Sequence, residues 1–219
     1  MKRNRTIRTF TLIELLVILS MITVLSTLLI QVLNKALEGI GQTHCASNQS
    51  NLGTSFILYS NDNNGLLPYT AHSSEANQWY ASNGVLPYVF HGETITHWSH
   101  RKILVDTIFN CPVSTGHPDW GHGQIYGYNA SLNPGTGTEW ESGLQPSRRL
   151  IKTPSEAAML VETYDTANNY WAHRAYRGDW LTSHHDGGGN FLFVDGRVKW
   201  MHRDDDPPRT DYFWDAYDE

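Results

Sequence analysis

The sequence predicts an α+β protein in which a long N-terminal helix, partly transmembrane, packs on a small antiparallel β domain. Three observations predict it. Residues 10–33 form an apolar run; no proline occurs between Phe10 and Leu67; and the C-terminal third carries paired strand-like runs about a tight turn. With 219 residues, 40% of them hydrophobic and 17% charged, the chain has room for one globular domain and an appendage. Sixteen Lys and Arg against twenty-two Asp and Glu give a net charge of -6, and the clustered bases lie at the extreme N-terminus. No basic stripe is left for the folded domain, so no nucleic-acid partner is expected. Two cysteines exclude a disulfide-dense scaffold and a four-cysteine zinc site.

Four segments follow from these patterns: a basic leader over 1–9, a transmembrane helix over 10–33, its continuation over 34–62, and an α+β domain over 63–219. The run FTLIELLVILSMITVLSTLLIQVL contains one charge, Glu14. As a helix it is long enough to cross a hydrocarbon core of about 30 Å. Lys2, Arg3, Arg5 and Arg8 precede it, which places the N-terminus in the cytoplasm and the C-terminal domain outside the inner membrane. The run exceeds a signal-peptide core and lacks a small-residue cleavage site after it. Glu14 is costly within a membrane helix and implies either a partner or snorkelling to the interface.

Leu33, Leu37, Ile40, His44, Leu52, Phe56 and Tyr59 continue a three-to-four spacing, so the helix is expected to reach about residue 60. Gly39, Gly41 and Gly53 weaken it and are candidate bends. Asn61-Asp62-Asn63-Asn64-Gly65 is its stop signal.

Residues 66–150, rich in Gly, Asn, Ser and His, are expected to form short strands and long loops. Trp79, Trp98, Trp120 and Trp140 are spread through them, as core residues or as a stacking surface for sugars. Thr153 to Glu156 reads as a turn feeding a buried strand, Ala157 to Val161. A hairpin is expected over 190–201, its strands 190–194 and 197–201 joined by Asp195-Gly196 as a two-residue type I′ turn.

Basic residues followed by FTLIELLVIL resemble the N-terminus of type IV pilins and type II secretion pseudopilins. His185, nine residues and Asp195-Gly196 resemble the H-x9-D-G mark of prepilin-type proteins. The outer helix from Cys45 to Pro68 and Phe109-Asn110-Cys111-Pro112 resemble a pilin-like family with a shared domain of uncharacterised function. The resemblance touches both ends and leaves the middle unmatched. It implies a lollipop-shaped subunit of a pseudopilus or pilus-like filament, with no enzymatic activity and no cofactor. The implied partners are a prepilin peptidase that cuts between Thr9 and Phe10 and methylates the new terminus, and other copies or homologous pseudopilins. Glu14 would pair with a neighbouring subunit's terminal ammonium during assembly. One residue departs from the pattern: Thr9 stands where the family normally has Gly.

Cys45 and Cys111 are either a disulfide, which would contribute about 2–4 kcal/mol, or two buried free thiols, and both readings stay open. His184, His185 and Asp186, with Glu162 and His173 upstream, have the residue types of a metal hydrolase but no helix-spaced ligand pair, so a structural role is preferred and no metal site is assigned. Asp204-Asp205-Asp206 reads as a solvated acidic loop rather than a calcium site. The alternatives to a filament subunit are a membrane-anchored glycan-binding module and a metal-dependent hydrolase.

Overall fold

The computed structural model describes residues 11–69, 75–97, 103–104, 107–113, 126–129, 132, 145–162, 174–175 and 185–205. Thr9, Phe10, His173, His184, Trp98, Trp120, Trp140 and Asp206, all named above, lie outside them. The chain divides into two units, Met1–Gly39 and Ile40–Glu219.

One helix, α1, spans Leu12–Asp62. Thr11 and Glu14 open it with a reciprocal capping box. Thr11 N–H and its hydroxyl donate to Glu14 Oε2 at 2.9 and 2.8 Å, and Glu14 N–H donates to Thr11 Oγ1 at 3.3 Å. Within the first unit the helix is wholly exposed, and as far as Leu33 it is apolar on every side, with a mean hydropathy of 2.5 over its most apolar window. It is therefore a candidate membrane span. Ser20, Thr23 and Thr27 turn their hydroxyls back onto the helix's own carbonyls, so none of them presents an unpaired donor to an apolar surrounding.

In the second unit the buried stripe of α1 runs through Cys45, Asn48, Gln49, Leu52, Gly53, Phe56 and Tyr59. This corrects the expected register. Leu52, Phe56 and Tyr59 are buried, but His44 is exposed and Cys45 takes its place, followed by two polar residues. Asn48 and Gln49 are tolerated because their amide nitrogens are paired: Asn48 Nδ2 donates to Asn110 O and Gln49 Nε2 to Asn190 O, each at 3.0 Å, while Gln49 Oε1 has no partner among the described residues. The glycines do not interrupt α1. Gly53 instead allows close packing, since a Cβ there would come within 2.9 Å of Leu192 Cδ1. The helix stops at the Asn/Asp cluster, where Asn63 N–H donates to Tyr59 O, Gly65 N–H donates to Ser60 O, and Asn64 and Gly65 take positive φ.

A short helix α2, Leu86–Val89, precedes in the chain a sheet that has five strands among the described residues. Its strands are β1 (Gly127–Asn129), β2 (Ala158–Val161), β3 (Arg174–Ala175), β4 (Gly188–Phe193) and β5 (Val198–His202), in the order β3-β1-β2-β4-β5. The pairs β1/β2, β2/β4 and β4/β5 are antiparallel, whereas β3 joins β1 in parallel, so the sheet is mixed at one edge rather than wholly antiparallel. Leu160 and Leu192 join the main core with Leu52 and Phe56 of α1, while Ala158, Val161, Phe191 and Phe193 form a second cluster. Trp79 is fully buried, stacked on Phe56 at a centroid distance of 5.7 Å. This removes it from any sugar-stacking surface.

The β4/β5 hairpin forms where expected, with Leu192 opposite Val198 and Asn190 opposite Trp200, but its turn differs. Gly196 N–H donates to Phe193 O, Phe193 N–H donates to Arg197 O, and only Gly196 has positive φ, at 92°. This is a three-residue loop, Val194 to Gly196, closed by a left-handed glycine. A type I′ turn would need positive φ at Asp195 as well. The Val194 and Asp195 amides are instead held by Ala157 O and Pro154 O. The Asp-Gly pair that does adopt type I′ signs is Asp186-Gly187, with φ of 52° and 80°. It folds His185 back so that its N–H and C=O bond Gly188 at 3.2 and 3.1 Å.

Candidate functional site: a buried thiol, imidazole and carboxylate cluster

Four segments of the second unit converge on one point. Cys45 comes from α1, Cys111 from the loop ahead of Pro112, Glu162 from the residue after β2, and His185 from the turn before β4. Each is buried, and their Sγ, Oε and imidazole nitrogen atoms all lie within 4.8 Å of one another. Cys111 Sγ is 3.2 Å from His185 Nε2, which is 3.3 Å from Glu162 Oε2. Cys45 Sγ donates to Glu162 Oε1 and lies 3.1 Å from the Tyr126 hydroxyl. Asn190 Nδ2, on β4, donates to Glu162 Oε1 at 3.1 Å, and Tyr126 Oη donates to Asn110 O at 3.2 Å.

The local folds explain why these side chains meet. Cys45 leads the buried stripe of α1, four residues before Gln49, whose amide reaches Asn190 O on β4. Glu162 follows directly on a fully buried strand and is itself buried. The Asp186-Gly187 turn fixes His185, and Trp200 Nε1 donates to His185 O at 2.9 Å across the hairpin. Two atoms of the cluster, Glu162 Oε2 and His185 Nδ1, have no hydrogen-bond partner among the described residues.

The charges are strongly interdependent. Burial pushes the Cys45 thiol far up, and Cys111 and Glu162 push it in the same direction, so Cys45 stays protonated. The neighbouring Cys45 and then His185 hold Cys111 down to about 5 against the cost of burial. Burial disfavours an imidazolium at His185, but Cys111 and Glu162 outweigh it and raise His185 to about 10. These shifts favour a thiol at Cys45 and a thiolate at Cys111 beside an imidazolium at His185, all in a buried setting.

The structure thus brings together Cys45 and Cys111, the two candidate disulfide residues, as free thiols, and joins His185 and Glu162 to them. It separates His185 from Asp195 and Gly196, which lie in the loop at the far end of β4. Asp186 is exposed and serves the turn, and Asp204 and Asp205 are exposed in a short 3-10 turn after β5. Sequence reasoning missed Tyr126 and Asn190 altogether, and it treated the cysteines and the His/Glu pair as separate questions. Glu14, in the first unit, meets no cationic partner among the described residues.

One candidate membrane span among the described residues and an α+β unit with a buried thiol, imidazole and carboxylate cluster define the class of molecule. No family model, curated protein or solved structure significantly matches the chain.

Proposed function

We propose that the protein is a structural subunit of a pilin-like filament, either a type II secretion pseudopilus or a type IV pilus-like assembly. It is anchored by α1 in the inner membrane with its N-terminus in the cytoplasm and its second unit outside. The observation that carries the reading is the first part of α1. From Leu12 to Ile40 every large apolar side chain is exposed, and they lie on all faces of the helix. Such a surface needs lipid or other apolar helices around it. A simple anchor accounts for the lipid and leaves Glu14 as no more than a helix cap. In an assembly of packed helices, the carboxylate next to the helix start meets a neighbour's terminal ammonium in a medium of low dielectric, where the pair sets axial register.

On this reading a prepilin peptidase releases the leader between Thr9 and Phe10. The test is N-terminal peptide mass spectrometry of the protein from membranes of its native host. It is combined with sedimentation of sheared filaments from cells carrying wild-type, Glu14→Ala or Thr11→Ala protein. The reading expects a methylated terminus at Phe10 and filaments that Glu14→Ala abolishes. A chain that retains Met1 and never sediments as a filament would overturn it.

A further inference from the structure

We propose that Cys45, Cys111, Glu162 and His185 form a structural site for one thiophilic divalent cation, zinc before others. This inference is independent of the filament reading and stands on the geometry of the second unit alone.

Four observations converge. The donor set is two thiolates, an imidazole and a carboxylate, each a zinc ligand, and four in number as a closed tetrahedral site requires. Bonds of about 2.0–2.3 Å around a tetrahedral ion place neighbouring donor atoms about 3.3–3.8 Å apart. Two edges of the cluster already have nearly that length: Cys111 Sγ to His185 Nε2 at 3.2 Å, and His185 Nε2 to Glu162 Oε2 at 3.3 Å. Small side-chain movements around a central ion complete the rest.

The third observation is burial. Cys45 and His185 have no exposed surface, and Glu162 and Cys111 have 3% and 7%. Glu162 Oε2 faces the other donors with His185 Nε2, at 3.3 Å, as its one polar neighbour, a place where a cation would replace the imidazolium's charge. Fourth, outer partners are in place: Asn190 Nδ2 on Glu162 Oε1 and the Tyr126 hydroxyl on Cys45 Sγ would orient those ligands.

Thiolate ligands select zinc over calcium or magnesium, which take oxygen donors. Binding displaces the Cys45 thiol proton and the His185 Nε2 proton, leaving two thiolates and a neutral imidazole that ligates through Nε2. Two thiolates and a carboxylate then carry -3 against the ion's +2, and no redox step is involved. With all four positions filled by protein, no site remains for water or substrate, so the ion would be structural. It would tie α1, the loop at Cys111, the end of β2 and the turn before β4 to one point.

The experiment uses the full chain in detergent micelles, purified with a reductant and without chelator. Elemental analysis should find about one zinc per chain. Cobalt added after chelation should give the visible bands of a tetrahedral ion and a near-ultraviolet thiolate charge-transfer band. Asn190→Ala should weaken zinc about tenfold while leaving the ligands intact. Cys45→Ser/Cys111→Ser should lose both the zinc and the charge-transfer band. If that variant fails to fold, the wild-type stoichiometry and cobalt spectrum decide alone. Reduced wild type without stoichiometric metal and without the thiolate band would overturn the site. So would undiminished metal in a folded Cys45→Ser/Cys111→Ser variant, or a Cys45–Cys111 disulfide in the protein isolated without reductant.

Discussion

His185 Nε2 lies 3.3 Å from Glu162 Oε2, and both side chains are buried, at 0% and 2% relative exposure. The pair joins the turn before β4 to the end of β2, two strands that are already neighbours in the sheet. A buried charge that loses its partner costs more than a surface pair could ever contribute, because the remaining group has no water to turn to.

Removal of the carboxylate is therefore expected to be severe. In Glu162→Ala, His185 keeps only Cys111, the Cys45 thiol loses an acceptor, and Asn190 Nδ2 loses one of its two. Urea unfolding of the chelated, reduced chain in detergent should show a loss of about 3–5 kcal/mol. A loss below about 0.5 kcal/mol, the level of an ordinary surface substitution, would mean the cluster is not the buried network described.

The turn that presents His185 can be tested without touching the cluster. Asp186 has φ of 52°, where a β-branched residue is strained and glycine is not. Asp186→Val should destabilise the second unit by about 1–2 kcal/mol, whereas Asp186→Gly should be nearly neutral. Equal effects would show that the left-handed conformation is not what positions His185.

The spacing of the C-terminal motif acquires a physical meaning here. His185 and Asp195-Gly196 stand at opposite ends of β4, and the nine residues between them are the Asp186-Gly187 turn, the six of the strand, and Val194. The motif is a strand held between two turns, one presenting a buried imidazole and the other returning the chain as β5. The length of α1, its stop at Asn63 to Gly65, and the existence of β2 and the hairpin were all legible as local patterns. The register of the α1 stripe was not, because apolar periodicity favours Leu and Ile, whereas Cys45, Asn48 and Gln49 are buried by partners distant in sequence. The cluster was illegible for the same reason: its four residues sit on four segments, and only the pairing of β2 with β4 beneath α1 brings them together. The two Asp-Gly pairs look alike as sequence. Bonds from Val194 and Asp195 to the segment before β2 decide which one becomes type I′.

Two glycines of α1 should respond in opposite ways to a side chain. A Cβ at Gly39 would meet nothing within 4 Å, so Gly39→Ala should gain about 1 kcal/mol of helix stability. At Gly53 the same Cβ would press on Leu192 Cδ1 at 2.9 Å, with Gly196 Cα 3.7 Å away. Gly53→Val should cost about 1–3 kcal/mol as the helix is forced off the sheet. Circular dichroism melts of the two variants in the same detergent compare them directly, and a stabilised Gly53→Val would contradict the close packing of α1 on β4.

Thr11 and Glu14 separate two roles that a single substitution would confuse. Each stabilises the start of α1 through the capping box, so losing either side chain should cost the helix a similar amount, about 1 kcal/mol. If capping were the whole purpose of Glu14, Thr11→Ala and Glu14→Ala would impair assembly alike. A carboxylate that also pairs with a neighbouring subunit predicts a different outcome. Thr11→Ala should then leave filament yield within about twofold of wild type, because roughly 1 kcal/mol of local fraying is repaired by packing. Glu14→Ala should insert in the membrane at normal levels and yield no filaments, and Glu14→Asp, which keeps the charge on a shorter arm, should recover part of the yield. Quantitative immunoblots of membrane and sheared fractions give both numbers from one culture. Equal filament yields from Thr11→Ala and Glu14→Ala would reduce Glu14 to a helix cap and remove the assembly role from this side chain.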